Sequence, residues 1–197
     1  MLNKPYSESC DQNRDPILTV IQPLLQSAQS LLEIGSGTGQ HAVYFAEKMP
    51  HLRWQSSDQT LYHNGIQQWI DAAKLSNVLP PLALNVSTDT WISQSYDAVF
   101  SANTLHIMSD ANVEDLFAHI AAVINTGGAL LIYGPFNYQG QYSSASNAHF
   151  DQWLKSRDTS SGIKDFEWVN SLAQNAGLSF QEDYAMPANN RILYWKK

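Results

Sequence analysis

The chain has 197 residues, 44% of them hydrophobic and 15% charged, enough for one domain with a sheet covered on both faces. Its 11 Lys and Arg are scattered and outnumbered by 18 Asp and Glu, a formal charge of −7, which argues against a nucleic-acid partner because phosphate neutralisation needs clustered cations. No apolar stretch reaches the roughly 18–20 residues that span a bilayer, the polar start MLNKPYSESCDQNRDP lacks a signal-peptide core, and a single cysteine, Cys10, makes an internal disulfide impossible. The expectation is a cytoplasmic protein without a membrane partner, a monomer or small homo-oligomer. In chain order, Asn13 or Asp15 is expected to cap a helix with Pro16 in its first turn. Ile17, Leu18, Ile21, Leu24 and Leu25 share a face of that helix, and Pro23 should kink or shorten it. Ser30–Ile34 reads as a short buried strand, and Ala42–Ala46 as part of a helix ending near Met49–Pro50. A second strand, Leu52–Ser57, closes at Asp58, and a helix spans about Leu61 to Leu75.

The alternation then repeats. Pro81–Val86 and Tyr96–Ser101 read as strands, and Val113–Ile124 as a helix that stops at Asn125-Thr126-Gly127-Gly128 before the strand ALLIYG. Strand–helix alternation at this spacing means a parallel sheet with helices on both faces. A polar loop, Pro135–Asn147, leads into helices near Ala148–Lys155 and Phe166–Ala176. Leu178–Met186 and Arg191–Trp195, joined by Pro-Ala-Asn-Asn, read as a hairpin that adds one antiparallel strand. The expected architecture is α/β: one Rossmann-like domain over residues 1–197.

Residues 31 to 45, LLEIGSGTGQHAVYF, carry the first functional signal. Gly35, Gly37 and Gly39, with Ser36 and Thr38 between them, form a turn whose backbone N–H groups are free and whose main chain a ligand can approach. The dinucleotide spacing is G-x-G-x-x-G, yet Gln40 holds its third-glycine position, and Glu33 would sit badly beside a pyrophosphate. No Gly-Lys-Ser/Thr follows, so a P-loop is excluded. A ligand with a cationic end and no phosphate fits better, and S-adenosylmethionine has that character. Asp58, 25 residues after Glu33, is placed to accept both ribose hydroxyls, a feature NAD sites share. Asn85 suits an adenine edge and Val86 its ring. The glycines alone would be read as a tight turn; the constellation points to an adenosine-type ligand.

With these residues in view, the pattern resembles class I S-adenosylmethionine-dependent methyltransferases. It is closest to the methyltransferase-like 26 family, also called domain of unknown function 938. The resemblance rests on NRDPIL at 13–18, LEIGSGTGQHAVYFA at 32–46, WQSSD at 54–58, NTLHI at 103–107 and YGPF at 133–136. SNAHFD at 146–151, RD at 157–158, GIKD at 162–165 and MPANN at 186–190 extend it over nearly the whole chain. It implies a seven-stranded methyltransferase sheet, mostly parallel with an antiparallel last strand, and S-adenosylmethionine as cofactor. The family pattern has Asp at the position of Asn85 and Pro at that of Ser56.

Methyl transfer needs an acceptor held close and a base only where a proton must leave. His106 could take that proton and Asn103 orient the acceptor, unless they are a packing histidine and a cap. Tyr133, Phe136 and Tyr138 could line an acceptor pocket under a lid-like loop. Asn147 and Asp151 share a helix face, although Asn147 also suits a cap. Asn189 and Asn190 read as a turn that the resemblance brings to the active face. Arg14 is the candidate for the cofactor carboxylate, with a surface arginine the plain alternative. Arg157 and Asp158 could pair with Lys164 and Asp165. No His or Cys spacing suggests a metal. The reading is methyl transfer from S-adenosylmethionine to a small-molecule acceptor. A non-catalytic module binding the cofactor or its demethylated product is the alternative, and an NAD-dependent oxidoreductase the third. No motif identifies the acceptor atom.

Overall fold

Period-two alternation in the central strands decides which face each residue serves. A computed structural model describes residues 4–197; the polar start of the chain therefore lies in part, at residues 1–3, outside the described residues. In β1 (Ser30–Ile34), Leu31 packs with one core cluster while Leu32 and Ile34 pack with the other. β4 (Tyr96–Ala102) repeats this with Ala98 and Phe100 against Val99, and β8 (Asn190–Lys196) with Ile192 and Tyr194 against Leu193 and Trp195. One face is covered by α1 (Glu8–Leu24), α2 (Gln40–Lys48) and α3 (His63–Ala73). The other carries α4 (Asp110–Ile120) and α6 (Phe166–Asn175). On the first face Phe45, Trp54 and Phe100 form an aromatic triangle with centroids 5.6 to 5.9 Å apart, all without solvent exposure. Burying each such ring contributes on the order of 1.5–3 kcal/mol.

With β2 (Arg53–Asp58), β3 (Val78–Ala83), β5 (Ile124–Asn137) and β7 (Ser179–Ala185), the strand order is β3-β2-β1-β4-β5-β8-β7. β8 alone runs antiparallel, paired to β5 on one side and β7 on the other, and a two-residue β6 (Lys164–Asp165) adds to the far end of β5. The fold is the expected mostly parallel α/β sheet with an antiparallel last strand. From β1 the chain moves outward to β3 and then returns to β4 on the opposite side, so strand order reverses between β1 and β4. Ligands of open α/β sheets bind at such a point.

Several local expectations shift. α1 begins at Glu8, so Asn13 and Asp15 lie inside it and Pro16 sits in its interior. β3 ends at Ala83, which leaves Asn85 and Val86 in the following loop. Gly127, at φ +78°, lies inside β5 instead of ending a helix. Between Tyr96↔Ile124 and Ala98↔Ala129 the β5 strand has three extra residues, a bulge that absorbs both glycines. β5 also runs on to Asn137, so Pro135 and Phe136 belong to a strand and not to a loop. α5 spans Ala145–Arg157, longer than its sequence signal at both ends. No helix among the described residues is long and apolar enough to cross a membrane.

Candidate cofactor and acceptor site

The ends of β1, β2 and β4, with α1 and α5, enclose a cavity of about 910 Å³ at the carboxyl edge of the sheet. β1 stops at Ile34 because Gly35 turns left-handed at φ +75°, where a Cβ would also stand 2.7 Å from Thr104 side-chain atoms. The amides of Gly35 and Ser36 both donate to Ser57 O at 3.0 Å, tying the turn to β2. Gly37 lines the cavity, and a Cβ there would meet nothing within 4 Å. Its amide donates to Asp58 Oδ2 and that of Gln59 to Oδ1, both at 2.7 Å. The Asp58 carboxylate is therefore fixed with lone pairs to spare. Burial raises its pKa, and these amides work in the other direction.

Glu33 lies beneath the turn, 1% exposed. Ser36 Oγ (2.8 Å) and Trp54 Nε1 (3.0 Å) both donate to its Oε2, and Oε1 has no partner among the described residues. Burial pushes this carboxyl up to about 7 against the pull of Trp54 and Ser36. In the loop after β3, Asn85 Oδ1 accepts from the Ser87 amide (3.1 Å), while Asn85 Nδ2 has no partner among the described residues. Leu84, Val86 and Tyr62 line the cavity beside it.

A strap closes this half from above. Gln40 grips the chain ahead of α1, accepting from Ser7 N (2.6 Å) and donating to Ser7 O (3.2 Å). His41 Nε2 donates to Asn13 Oδ1 at 2.7 Å, and burial pushes that imidazole down to about 4. Ser9, Cys10 and Asn13 thereby become cavity wall. Sequence reading assigned none of the three to a site; the Gln40 deviation from the dinucleotide spacing was the available signal.

The other half is aromatic and uncharged. His106 sits on a 3-10 turn, Leu105–Ile107, after β4. Its backbone O accepts from Gly162 N (2.9 Å), and Ile107 O accepts from Ser161 Oγ (3.0 Å). Burial, then the nearby Lys164 charge, push its imidazole down to about 4, so it is neutral at pH 7. No hydrogen bond to that ring is present among the described residues. Asn103 holds a left-handed backbone at φ +58° and donates its amide to Tyr133 O at 2.9 Å. Burial raises the Tyr133 phenol, with Asn13 and Asn190 beside its hydroxyl pulling down. Phe150 meets His106 edge to face at 5.3 Å and stacks on Trp153 at 5.7 Å.

Of the residues expected at the site, Gly35–Thr38, Asp58, Asn85 and Val86 line this cavity, as do Asn103, His106, Tyr133, Asn147 and Asn190. Others lie elsewhere. Glu33 is not among the lining residues; it lies buried behind Ser36, whose Oγ donates to it. Arg14 donates to Asp11 Oδ1 (2.8 Å) and lies over the Tyr44 ring, away from the lining. Gly39 starts α2 at φ +90°, where a Cβ would stand 3.0 Å from Ile66 Cα, so it serves helix packing. Phe136 faces the opposite core from Tyr133, and Tyr138 packs on Phe166 and donates to Asp183 Oδ2. Asp151 is an internal brace, accepting from Ile163 N (2.7 Å), Tyr142 Oη (2.7 Å) and Lys155 Nζ (2.6 Å). Asn189 is exposed and outside the lining; its carbonyl accepts from Asn147 Nδ2 at 3.2 Å and its Nδ2 donates to Ser146 Oγ at 3.1 Å. The α5 cap is Ser144, not Asn147. Arg157 lies over the Trp153 ring and Lys164 donates to Asp110, so neither makes the expected pair with Asp158 or Asp165. Among the described residues, no three His, Cys, Asp or Glu side chains converge as a metal site.

A family model described as "Protein of unknown function (DUF938)" matches residues 4–197. The chain belongs to this family. Solved structures similar in fold to this DUF938 chain include proteins described as methyltransferases. One is an O-methyltransferase family protein from Burkholderia thailandensis, at TM-score 0.78 and 18% identity, with 95% of this chain and 59% of that one covered. A second is the O-methyltransferase family 2 protein of Planctomyces limnophilus in complex with apigenin, at 0.76 and 18%, with 88% and 52% covered. A third is human N-acetylserotonin methyltransferase in complex with SAM, at 0.80 and 17%, with 96% and 53% covered. At such identities the likeness is one of fold. The DUF938 chain spans a little over half the length of these proteins.

Proposed function

We propose that this chain binds S-adenosylmethionine in the cavity and directs its methyl group to a small-molecule acceptor. The observation that carries this reading is the donor set. In the lining Asp58 offers two fixed oxygens and Asn85 an unpaired amide, Glu33 lies buried behind Ser36, and no Lys or Arg among the described residues lines the cavity to meet a phosphate. The first two fit a ribose and an adenine edge, and the Glu33 carboxyl behind the turn supplies the counter-charge for an ammonium. When bound, the cofactor supplies a methyl already activated by its sulfonium, which leaves positioning and exclusion of water to the protein. Tyr133, Asn103 and Asn190 would orient the acceptor, and neutral His106 would take its proton. The cavity continues past Tyr133 to Asn147 and Phe150, which supports transfer over mere sensing of the cofactor.

Calorimetry and thermal unfolding test it. S-adenosylmethionine at a hundredfold excess over its dissociation constant should stabilise the fold by about 2.7 kcal/mol, and NAD should not. Asp58→Ala should cost roughly 1.5–3 kcal/mol of cofactor binding. Stabilisation by NAD and not by S-adenosylmethionine would reverse the assignment.

A further inference from the structure

Beyond Tyr133 the cavity changes chemistry. Of all its lining residues among those described, Asp58 alone carries a fixed charge, and it belongs to the ribose end. The acceptor end offers neutral polar groups, the Tyr133 phenol and the amides of Asn103, Asn147 and Asn190, set against an aromatic row. In that row His106 meets Phe150 at 5.3 Å and 70°, and Phe150 stacks on Trp153 at 5.7 Å and 16°. Two residues of this lining are large, apolar and uncovered: Trp153 is 50% exposed, and Ile107, on the facing turn, 57%. Large hydrophobic side chains exposed at a concave wall mark a place that a ligand covers. Aromatic rings pack on one another in offset or edge-to-face geometry and favour a flat partner.

Charge narrows the class further. A carboxylate or ammonium entering here would shed water and find no counter-ion on the wall. The cations near α5 are not part of the lining: Lys155 pairs with Asp151, and Arg157 lies over the Trp153 ring. We infer that the acceptor is an uncharged, planar aromatic molecule, seated on Phe150 and Trp153 with its reacting group toward Tyr133 and Asn190. Phe150 and Trp153 are then the specificity-determining residues. This rests on the methyltransferase reading, but its binding test can be run separately.

Three naphthalenes of similar shape and different charge serve as probes at pH 7.5: 2-naphthol (neutral), 2-naphthoate (anionic) and 2-naphthylmethylamine (cationic). Each is titrated by calorimetry into the full chain, alone and saturated with S-adenosylhomocysteine. 2-Naphthol should bind at least tenfold tighter than either ion. Trp153→Ala should weaken 2-naphthol at least fivefold and leave S-adenosylhomocysteine affinity within twofold; Phe150→Leu provides a second, volume-sparing check. Equal or tighter binding of an ion, no binding of 2-naphthol in either state, or an unchanged affinity in both variants would overturn the inference. Failure of S-adenosylhomocysteine to bind would instead sink the cofactor reading, while the naphthalene preference is still read on the protein alone.

Discussion

Both hydrogen bonds that the Glu33 carboxyl accepts, from Ser36 Oγ and Trp54 Nε1, converge on Oε2. A glutamine in its place can keep both on its amide oxygen while turning an N–H₂ toward the position of Oε1. Because burial raises this carboxyl from 4.5 to about 7, the folded state holds its proton more tightly than the unfolded one between those values. Its contribution to stability is thus fully present below pH 4.5 and is lost as pH rises through 7. Glu33→Gln should therefore stabilise the ligand-free protein at pH 8 by about 1–3 kcal/mol, a gain that shrinks to nothing below pH 4.5. The same variant should bind S-adenosylmethionine more weakly. Denaturant unfolding at the two pH values, beside calorimetry, checks both halves; a variant less stable at pH 8 would refute the account. His106 has the opposite sign. Its depressed imidazole contributes stability above about pH 6.5 that is lost as pH falls through 4. If it is the acceptor's base, as proposed, the wild type should show an acid limb in kcat/KM near pH 4, not near the ordinary value. His106→Gln should lower turnover by roughly 10²–10⁴-fold with cofactor affinity intact. Full turnover in the folded variant would take the histidine out of the mechanism.

Among the elements, α5 carries the most consequence, through Asp151. It holds Ile163 N, and the same segment reaches the His106 turn through Gly162 N and Ser161 Oγ. Asp151→Ala would strip a buried brace of three partners and should cost about 2–4 kcal/mol. Hydrogen exchange should show lost protection at residues 159–165 and 105–108 but not in the glycine turn; uniform loss would argue against this division of labour. The turn itself was legible because its chemistry is local: three glycines, a preceding carboxylate, and Asp58 one strand on. Asn85 was legible as a residue even though its strand ends earlier, since the loop carries it to the same edge. Phe136 was misplaced because ALLIYG gives no sign that the strand continues, and strand parity sends Phe136 away from Tyr133. Phe150 and Trp153 were missed for another reason. An i, i+3 aromatic pair looks like any helix face, and only tertiary packing of α5 beside Leu105–Ile107 makes it a wall.

Across the whole molecule, the cavity joins parts made at different times. β1 to β5, residues 30–137, supply the glycine turn, Asp58, Asn85 and the β4 end, and the order β3-β2-β1-β4-β5 is complete within them. The facing wall depends on α5 and on the hairpin. β8 is the last strand in chain order yet slots between two that precede it, β5 and β7, with Ile192, Leu193 and Trp195 wholly buried there. Such a strand cannot dock until both neighbours exist, and its pairing with β5 closes a long loop, which is slow. In refolding, pulse-labelled amides of β1 and β4 should become protected before those of Ile192–Trp195, and S-adenosylmethionine should speed only the earlier phase. Simultaneous protection would contradict this order. On the proposed reading, the residues that would hold the methyl donor leave the ribosome before α5 and the hairpin that would complete the acceptor's wall.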